Sequence, residues 1–189
     1  MGFRVVDRLA ERWQAGPGRS AFGGQLYEAR PARPGQAPRR VLLFQPHTYM
    51  NRSGSAVAGL MQFYKAEHRD LLVVLDDMAL DLGQLRFRAG GSSGGHRGLA
   101  DVLTALGSEQ VPRLRIGIGA APGQMDGADY VLTRFGADEQ DVIQAALGRA
   151  AQAVEDWIAV GLDGAMDTYN RKTAPTEGRE KDSQTDKRA

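Results

Sequence analysis

The fold of this chain is decided by the stretch Gln45-Pro46-His47-Thr48-Tyr49-Met50-Asn51-Arg52-Ser53-Gly54. A β-type run, 40–44, leads into it, and from Val57 onward apolar residues recur at the i, i+3, i+4, i+7 spacing of a helix. The stretch therefore places the Asn51 amide where a strand gives way to a helix, and ligand sites in α/β sheets gather there. On these residues alone, an Asn-Ser turn in which Ser53 or Ser55 caps the helix explains the pattern equally well.

Helical and strand patterns alternate along the rest of the chain, which predicts an α/β fold with a mixed sheet flanked by helices on both faces. The predicted helices cover 1–14, 53–64, 98–106, 138–160 and 163–170, and the predicted strands cover 22–29, 40–45, 71–75, 84–88 and 113–119. We expect a single domain over residues 1–170. The charged segment 171–189 is poor in apolar residues and is predicted to be a disordered tail.

The composition limits the classes of protein to which the chain can belong. It has 189 residues, 42% of them hydrophobic, and no apolar run approaches the ~20 residues of a membrane span, so no membrane partner is expected. The absence of cysteine excludes disulfides and thiolate metal ligands and fits a reducing cytoplasm. The three histidines lack ligand spacing. We expect a cytoplasmic monomer without a metal or other cofactor.

Three further motifs change the interpretation of Asn51. They are Leu72-Val73-Val74-Leu75-Asp76-Asp77, the glycine loop Gly90-Gly91-Ser92-Ser93-Gly94-Gly95-His96-Arg97-Gly98-Leu99, and Arg113-Leu114-Arg115-Ile116-Gly117-Ile118-Gly119. In this order after Tyr49-Met50-Asn51-x-Ser53-Gly54, they resemble the bacterial peptidyl-tRNA hydrolase family, from Gly2 to about Asn170. The resemblance implies a carboxylic ester hydrolase that releases tRNA from peptidyl-tRNA by general-base attack of water, without a cofactor.

The resemblance also exposes a difference at the start of the chain. Family members begin with a β-strand, an Asn-Pro-Gly turn and an Arg-His-Asn motif whose histidine is the catalytic base, and Met1 matches a position just after that motif. We therefore expect the first strand of the sheet and the base to be missing because the start has been placed too late. The chain as given is expected to be inactive and poorly packed, because buried unpaired backbone groups cost about 1–3 kcal/mol each.

The resemblance assigns catalytic roles to two residues that are present. Asp76 matches the carboxylate that orients the base histidine, and Asn51 matches an asparagine that positions substrate and water and contacts the tRNA. Tyr49 matches an aromatic position that can stack on the terminal adenine. From the residues alone, the favoured interpretation of Asp76 is a turn or cap residue. A magnesium or phosphate-acceptor site with Asp77 is the functional alternative, but no Walker-type glycine loop accompanies it.

Basic residues carry the expected contacts to tRNA. His96 and Arg97 follow the glycine loop, and Arg97 stands where the family usually has an asparagine; as a bare sequence feature the loop is an ordinary turn. On the predicted strands, apolar residues alternate with Arg86, Arg88 and Arg115, so all three arginines are expected to face solvent. In the family, basic residues at these positions bind the phosphates of the tRNA. A solvated sheet face is the alternative. The net charge of +1 does not decide between them.

Two classes of function remain open on the sequence. The first is an esterase that recycles tRNA from peptidyl-tRNA, and it is favoured by Asp76 and Asn51. The second is a non-catalytic RNA-binding module on the same fold, and Arg97 favours it because arginine gains phosphate contact but cannot accept a hydrogen bond. An esterase for small molecules is a more distant alternative.

Overall fold

The computed structural model describes residues 1–32, 37–49, 52–121, 127–133 and 135–171. Its elements are, in chain order, α1 (Gly2–Arg12), β1 (Arg19–Ala21), β2 (Gly24–Ala29), β3 (Val41–Pro46), α2 (Ser53–Tyr64), a 3₁₀ turn (His68–Asp70), β4 (Val73–Asp77), β5 (Leu85–Arg88), α3 (Arg97–Leu106), β6 (Arg113–Gly117), α4 (Gly127–Leu132) and α5 (Ala137–Tyr169). Except for Arg171, the predicted tail lies outside the described residues.

Two of the predicted helix ends are confirmed, and glycine produces both. Gly107 follows α3 with a φ of 62°, and its N–H bonds back to carbonyls of the last turn. Gly161 interrupts α5 with a φ of 80°, so the long helix and the shorter one after it are two helices joined at a kink. Asp138 and Glu139 lie in the first turn of α5, where negative charge suits the helix dipole.

The strands form two three-stranded sheets. One has the order β1-β2-β3 and is antiparallel, which confirms the predicted hairpin of the second and third strands. The other has the order β4-β6-β5, with β6 parallel to β4 and antiparallel to β5. The α/β class and the mixed sheet are confirmed. Within the described residues β3 and β4 do not pair, so the mixed pairing of parallel and antiparallel strands lies in the second sheet.

Helices cover both sides of the strands, as predicted. On one side α1 and α5 pack over the larger core cluster, whose buried members include Val5, Leu9, Leu43, Leu85, Phe87, Leu114, Ile116, Ile143 and Leu147. On the other side, α2 and α3 pack on each other and α3 packs on Leu75 of β4. Adjacent residues of a strand point to opposite faces, so β4 contributes Val74 to the larger cluster and Leu75 to the cluster under α3. None of the helices described is long and apolar enough to span a bilayer.

Candidate active site

Strand β4 ends in two carboxylates that point to opposite faces of its sheet. Asp76 is in register with Ile116, which is buried beneath α1 and α5, and Asp77 is in register with Gly117. Because facing residues of paired strands share a side, Asp76 lies on the side of α1 and α5. Asp77 lies on the other side, with Leu75 and α3.

Asp76 lies beside the first residues of α1. Its Oδ1 atom is 3.4 Å from the amino nitrogen of Met1, and the carboxylate side chain is 16% exposed. The helix starts so close to β4 that any side chain at Gly2 would clash with the carbonyl oxygen of Val74. The Asp76 carboxylate is therefore partly shielded from water and paired with a cation.

The start of α1 is also tied to β3. The Gln45 amide, buried at the end of β3, donates through Nε2 to the carbonyl oxygen of Phe3 at 3.0 Å and to Asp7 Oδ1 at 2.6 Å. The Phe3 ring lies 6.2 Å from that of His47, centroid to centroid. The ends of β3 and β4 and the start of α1 therefore meet at one edge, where Asp76, Phe3 and His47 gather.

Four arginines share the face of the second sheet that Asp77 occupies. Arg86 is in register with Arg115, and Arg88 is in register with Arg113. Cross-strand partners and next-but-one residues lie on the same face, so all four point the same way. Their exposure rises from the centre of the sheet to its edge strand: Arg113 is buried, Arg86 and Arg115 are partly buried, and Arg88 is exposed.

Arg115 does not face open solvent, which corrects the expectation drawn from strand alternation. Its side chain is 22% exposed, and its Nε atom donates to Oδ2 of Asp77, whose own side chain is 14% exposed. The alternation predicted the correct face, but the loops and α3 cover that face near β4. The expectation of full exposure holds for Arg88 and only partly for Arg86.

Arg113 is the most informative residue that the sequence pattern misplaced. The alternation of apolar and basic residues in 113–119 predicts an outward position for Arg113, as for Arg115, but Arg113 is only 2% exposed. Its guanidinium donates to four backbone carbonyls, those of Val111 (3.0 Å), Gly91 (2.7 Å), Ser92 (3.0 Å) and Glu109 (3.0 Å). Burial, and secondarily the charge of Arg115, lowers its pKa. Arg113 thus fixes the glycine loop against the segment before β6, and no signal in the sequence separated it from Arg115.

The glycine loop leads directly into α3. His96 is the N-cap residue, and its Nδ1 accepts the N–H of Leu99 at 3.0 Å. With Nδ1 acting as acceptor, the proton of a neutral ring lies on Nε2. Arg97, the first residue of the helix, is exposed. Gly94 and Gly95 have φ values of 57° and 87°, a backbone conformation that favours glycine.

The start of α2 is held by a contact from α3. The N-cap position of α2 is Arg52, without a side-chain cap, so the expected capping by Ser53 or Ser55 is wrong. Instead, Asp101 of α3 accepts the N–H of Gly54 at 2.6 Å. The two helices approach so closely there that a side chain at Gly54 would clash with the Asp101 carbonyl. A contact between helices 47 residues apart has no local sequence signal.

Comparison with known proteins identifies the family of this chain. The model of the peptidyl-tRNA hydrolase family matches residues 1–177. The chain belongs to this family.

Relatives and solved structures agree with the peptidyl-tRNA hydrolase assignment. The chain is 46% identical to the peptidyl-tRNA hydrolase of Chloroflexus aggregans over 90% of this chain and 88% of the relative. For the enzyme of Rhodopirellula baltica the identity is 40%, over 90% and 87%. The crystal structure of peptidyl-tRNA hydrolase from Acinetobacter baumannii is 29% identical, with a TM-score of 0.78 over 89% of this chain and 83% of that one. The chain is a hydrolase of the α/β peptidyl-tRNA hydrolase fold.

The structure brings some of the predicted site residues together and leaves others undescribed. Tyr49 is 80% exposed just after the end of β3, near the edge that carries Asp76. Asn51, predicted to be catalytic and to contact tRNA, lies outside the described residues, as does Met50. Within the described part of the chain, no three acidic, histidine or cysteine side chains are grouped to hold a metal ion.

Proposed function

We propose that this member of the peptidyl-tRNA hydrolase family hydrolyses the ester that joins a peptide to tRNA. The observation that carries the proposal is the division of the β4 end into two faces. One face presents the Asp76 carboxylate, 16% exposed, beside the start of α1. The other presents a row of arginines that ends in Arg86 and Arg88, for which the described residues provide no carboxylate partner. The Asp76 face can take part in hydrolysis of an ester, and the arginine face can bind the phosphates of an RNA backbone.

The proposed role of Asp76 is to orient a base. Ester hydrolysis needs a group that takes the proton of water, and a carboxylate hydrogen-bonded to an imidazole fixes its tautomer and stabilises its charged form. The Arg-His-Asn motif that supplies this base in the family does not occur in residues 1–189. In the proposal, an imidazole beside Asp76, where the amino group of Met1 lies, performs the step. Asn51 positions the water and the substrate.

Binding is assigned to the edge and to the arginine face. Tyr49 offers an exposed ring on which the terminal base of the tRNA can stack. Arg86, Arg88, Arg97 and Arg115 are proposed to bind phosphates, and His96 caps the helix that presents Arg97. Peptidyl-tRNA is the proposed substrate, the cytoplasm the proposed location, and the monomer the proposed state.

Chemical rescue tests this function in residues 1–189. We expect the chain to bind tRNA and to release it from an N-acetylated aminoacyl-tRNA only when free imidazole is supplied. Asp76→Asn should lower the rescued rate by about 10³–10⁴-fold, because the amide cannot stabilise the imidazolium, while tRNA affinity stays unchanged. The matched control is Asp163→Ala, which removes an exposed carboxylate on α5 and should change neither.

The same measurements separate the alternative. A chain that binds tRNA tightly but hydrolyses no ester at any imidazole concentration would be the non-catalytic RNA-binding module, the reading that Arg97 favours. Hydrolysis that needs no imidazole and survives Asp76→Asn would refute the assignment of this edge as the active site.

A further inference from the structure

Within the described residues, Arg115 is held through one of its donor atoms. Its Nε atom donates to Asp77, and within the described residues its Nη1 and Nη2 atoms make no hydrogen bond. The two terminal nitrogens of a guanidinium form a planar fork that binds two oxygens of one phosphate. The contact with Asp77 therefore occupies one donor and leaves the fork available.

The carboxylate that holds Arg115 is itself fixed. Oδ1 of Asp77 accepts the N–H of Ala79 at 2.8 Å, while Oδ2 binds the guanidinium. Both side chains are mostly covered: that of Asp77 is 14% exposed and that of Arg115 is 22% exposed. Their rotation is therefore restricted. A backbone N–H, a carboxylate and a guanidinium thus form a chain that sets the direction of the Arg115 fork.

Asp77 also opposes a repulsion within the sheet. Arg115 and Arg86 face each other on neighbouring strands, and like charges directly opposite each other repel. Without a carboxylate on its other side, Arg115 would turn away from Arg86 and lose its direction. With Asp77 in place, the two arginines can present adjacent cationic groups on one face.

We propose that Asp77 is a positioning residue for RNA binding, which aims the guanidinium fork of Arg115 at a phosphate of the bound tRNA. The inference rests on the proposed function and deepens its binding step. It predicts a change in tRNA affinity opposite to the one that charge alone would cause. Removing a negative charge beside a phosphate site should strengthen RNA binding if only charge mattered. If Asp77 positions Arg115, its removal weakens binding instead.

Two substitutions separate charge from geometry. Asp77→Ala and Asp77→Asn remove the same charge, but only asparagine keeps an oxygen that can accept from Nε of Arg115. We expect Asp77→Ala to raise the Kd for an unacylated tRNA about tenfold, the value of one good phosphate contact, and Asp77→Asn to stay within about threefold of the parent. Kd is measured by fluorescence anisotropy from 50 to 300 mM salt.

A double-mutant cycle tells positioning from general damage. Arg115→Ala should lower the slope of log Kd against log salt by about one, and Asp77→Ala should add nothing to it, because the group that Asp77 aims is gone. Arg88→Ala should instead add its full effect to that of Asp77→Ala. Asp163→Ala, far away on α5, removes one exposed carboxylate and should leave Kd within twofold. Cooperative unfolding of every variant is checked by circular dichroism.

The outcomes that contradict the proposal are distinct. Equal and tighter binding by Asp77→Ala and Asp77→Asn would mean that Asp77 acts through its charge alone, and full additivity with Arg115→Ala would mean that it acts elsewhere. Either result overturns the inference while the proposed function stands. Failure of the parent chain to bind tRNA would overturn both, and loss of imidazole rescue with intact binding would affect only the catalytic assignment.

Discussion

Replacing the buried guanidinium of Arg113 by an apolar side chain of similar length should strongly destabilise the protein. In Arg113→Met, three carbonyls lose their donor: those of Gly91, Ser92 and Val111. The fourth, that of Glu109, still accepts the N–H of Gly91 at 3.0 Å. An unsatisfied buried acceptor costs about 1–3 kcal/mol, and water can reach the carbonyl of the exposed Ser92.

The two carbonyls left without a donor, those of Gly91 and Val111, set the expected magnitude. Together they correspond to a decrease of about 2–5 kcal/mol in the free energy of unfolding, which is a large share of the ~5–15 kcal/mol of a typical domain. Relief from burying a charge reduces this loss, since replacing a whole buried ion pair by apolar groups can even stabilise a protein. Here the carbonyls remain in place, so the relief is incomplete. Arg113→Lys should recover part of the loss, because ammonium carries three donors but cannot span all the acceptors.

Urea unfolding measures the effect. The midpoint of Arg113→Met should fall at an unchanged m value, and the Tm should drop by about 5–15 °C. Arg88→Met is the matched control, because Arg88 faces Arg113 across the strands but is exposed, so its free energy of unfolding should stay within about 0.5 kcal/mol. A loss below 1 kcal/mol for Arg113→Met would refute the reasoning, because water would then satisfy the carbonyls.

Three further predictions use other parts of the molecule. Asn51→Ala should lower the imidazole-rescued rate by about 10²–10³-fold if its amide holds the water or the oxyanion, and near-normal turnover would contradict that role. Arg97→Ala should weaken binding of whole tRNA and also slow hydrolysis of a short adenosine ester, whereas Arg88→Ala should affect only whole tRNA. Burial and the 2.5 Å bond from its hydroxyl to Asp156 raise the pKa of Tyr169. The unfolded chain therefore loses that proton first, and stability should fall as pH rises above about 10, less so in Tyr169→Phe when urea midpoints are compared.

The elements predicted from the sequence are those long enough for their apolar residues to repeat at helix or strand spacing. The stripe of α5, which includes Ile143, Leu147 and Val154, is buried, and the apolar run before Asp76 is a strand. Glycines at the ends of α3 and within α5 mark local backbone conformations, so the sequence carries them directly. Among the described residues, the missed elements are β1 and the 3₁₀ turn, with three residues each, and α4, with six. None is long enough to establish a period of its own.

The sequence predicts the parts of the candidate site that lie at strand ends. It does not predict which side chains other segments of the chain cover. Alternation gives the face on which a strand residue lies, and for Arg86, Arg88 and Arg115 that face is common to all three. Alternation does not show which segments cover a face. It therefore predicts solvent exposure both for Arg113, which lies beneath loops, and for Arg115, which lies beside Asp77. The bond between Asp101 and Gly54 depends on the packing of two helices, which only the folded chain specifies.

The adjacent carboxylates Asp76 and Asp77 should therefore be separable in function, although they are neighbours in sequence. Successive residues of β4 point to opposite faces, and the proposed function assigns Asp76 to ester cleavage on one face and Asp77 to the arginine face on the other. In rescued hydrolysis, Asp76→Asn should lower the rate at saturating substrate and leave Kd unchanged. Asp77→Ala should raise Kd and leave the saturated rate unchanged, because it alters only how Arg115 meets phosphate. The double variant should combine both defects without coupling, within about 0.5 kcal/mol. A reduced saturated rate in Asp77→Ala would mean that the two faces do not act independently.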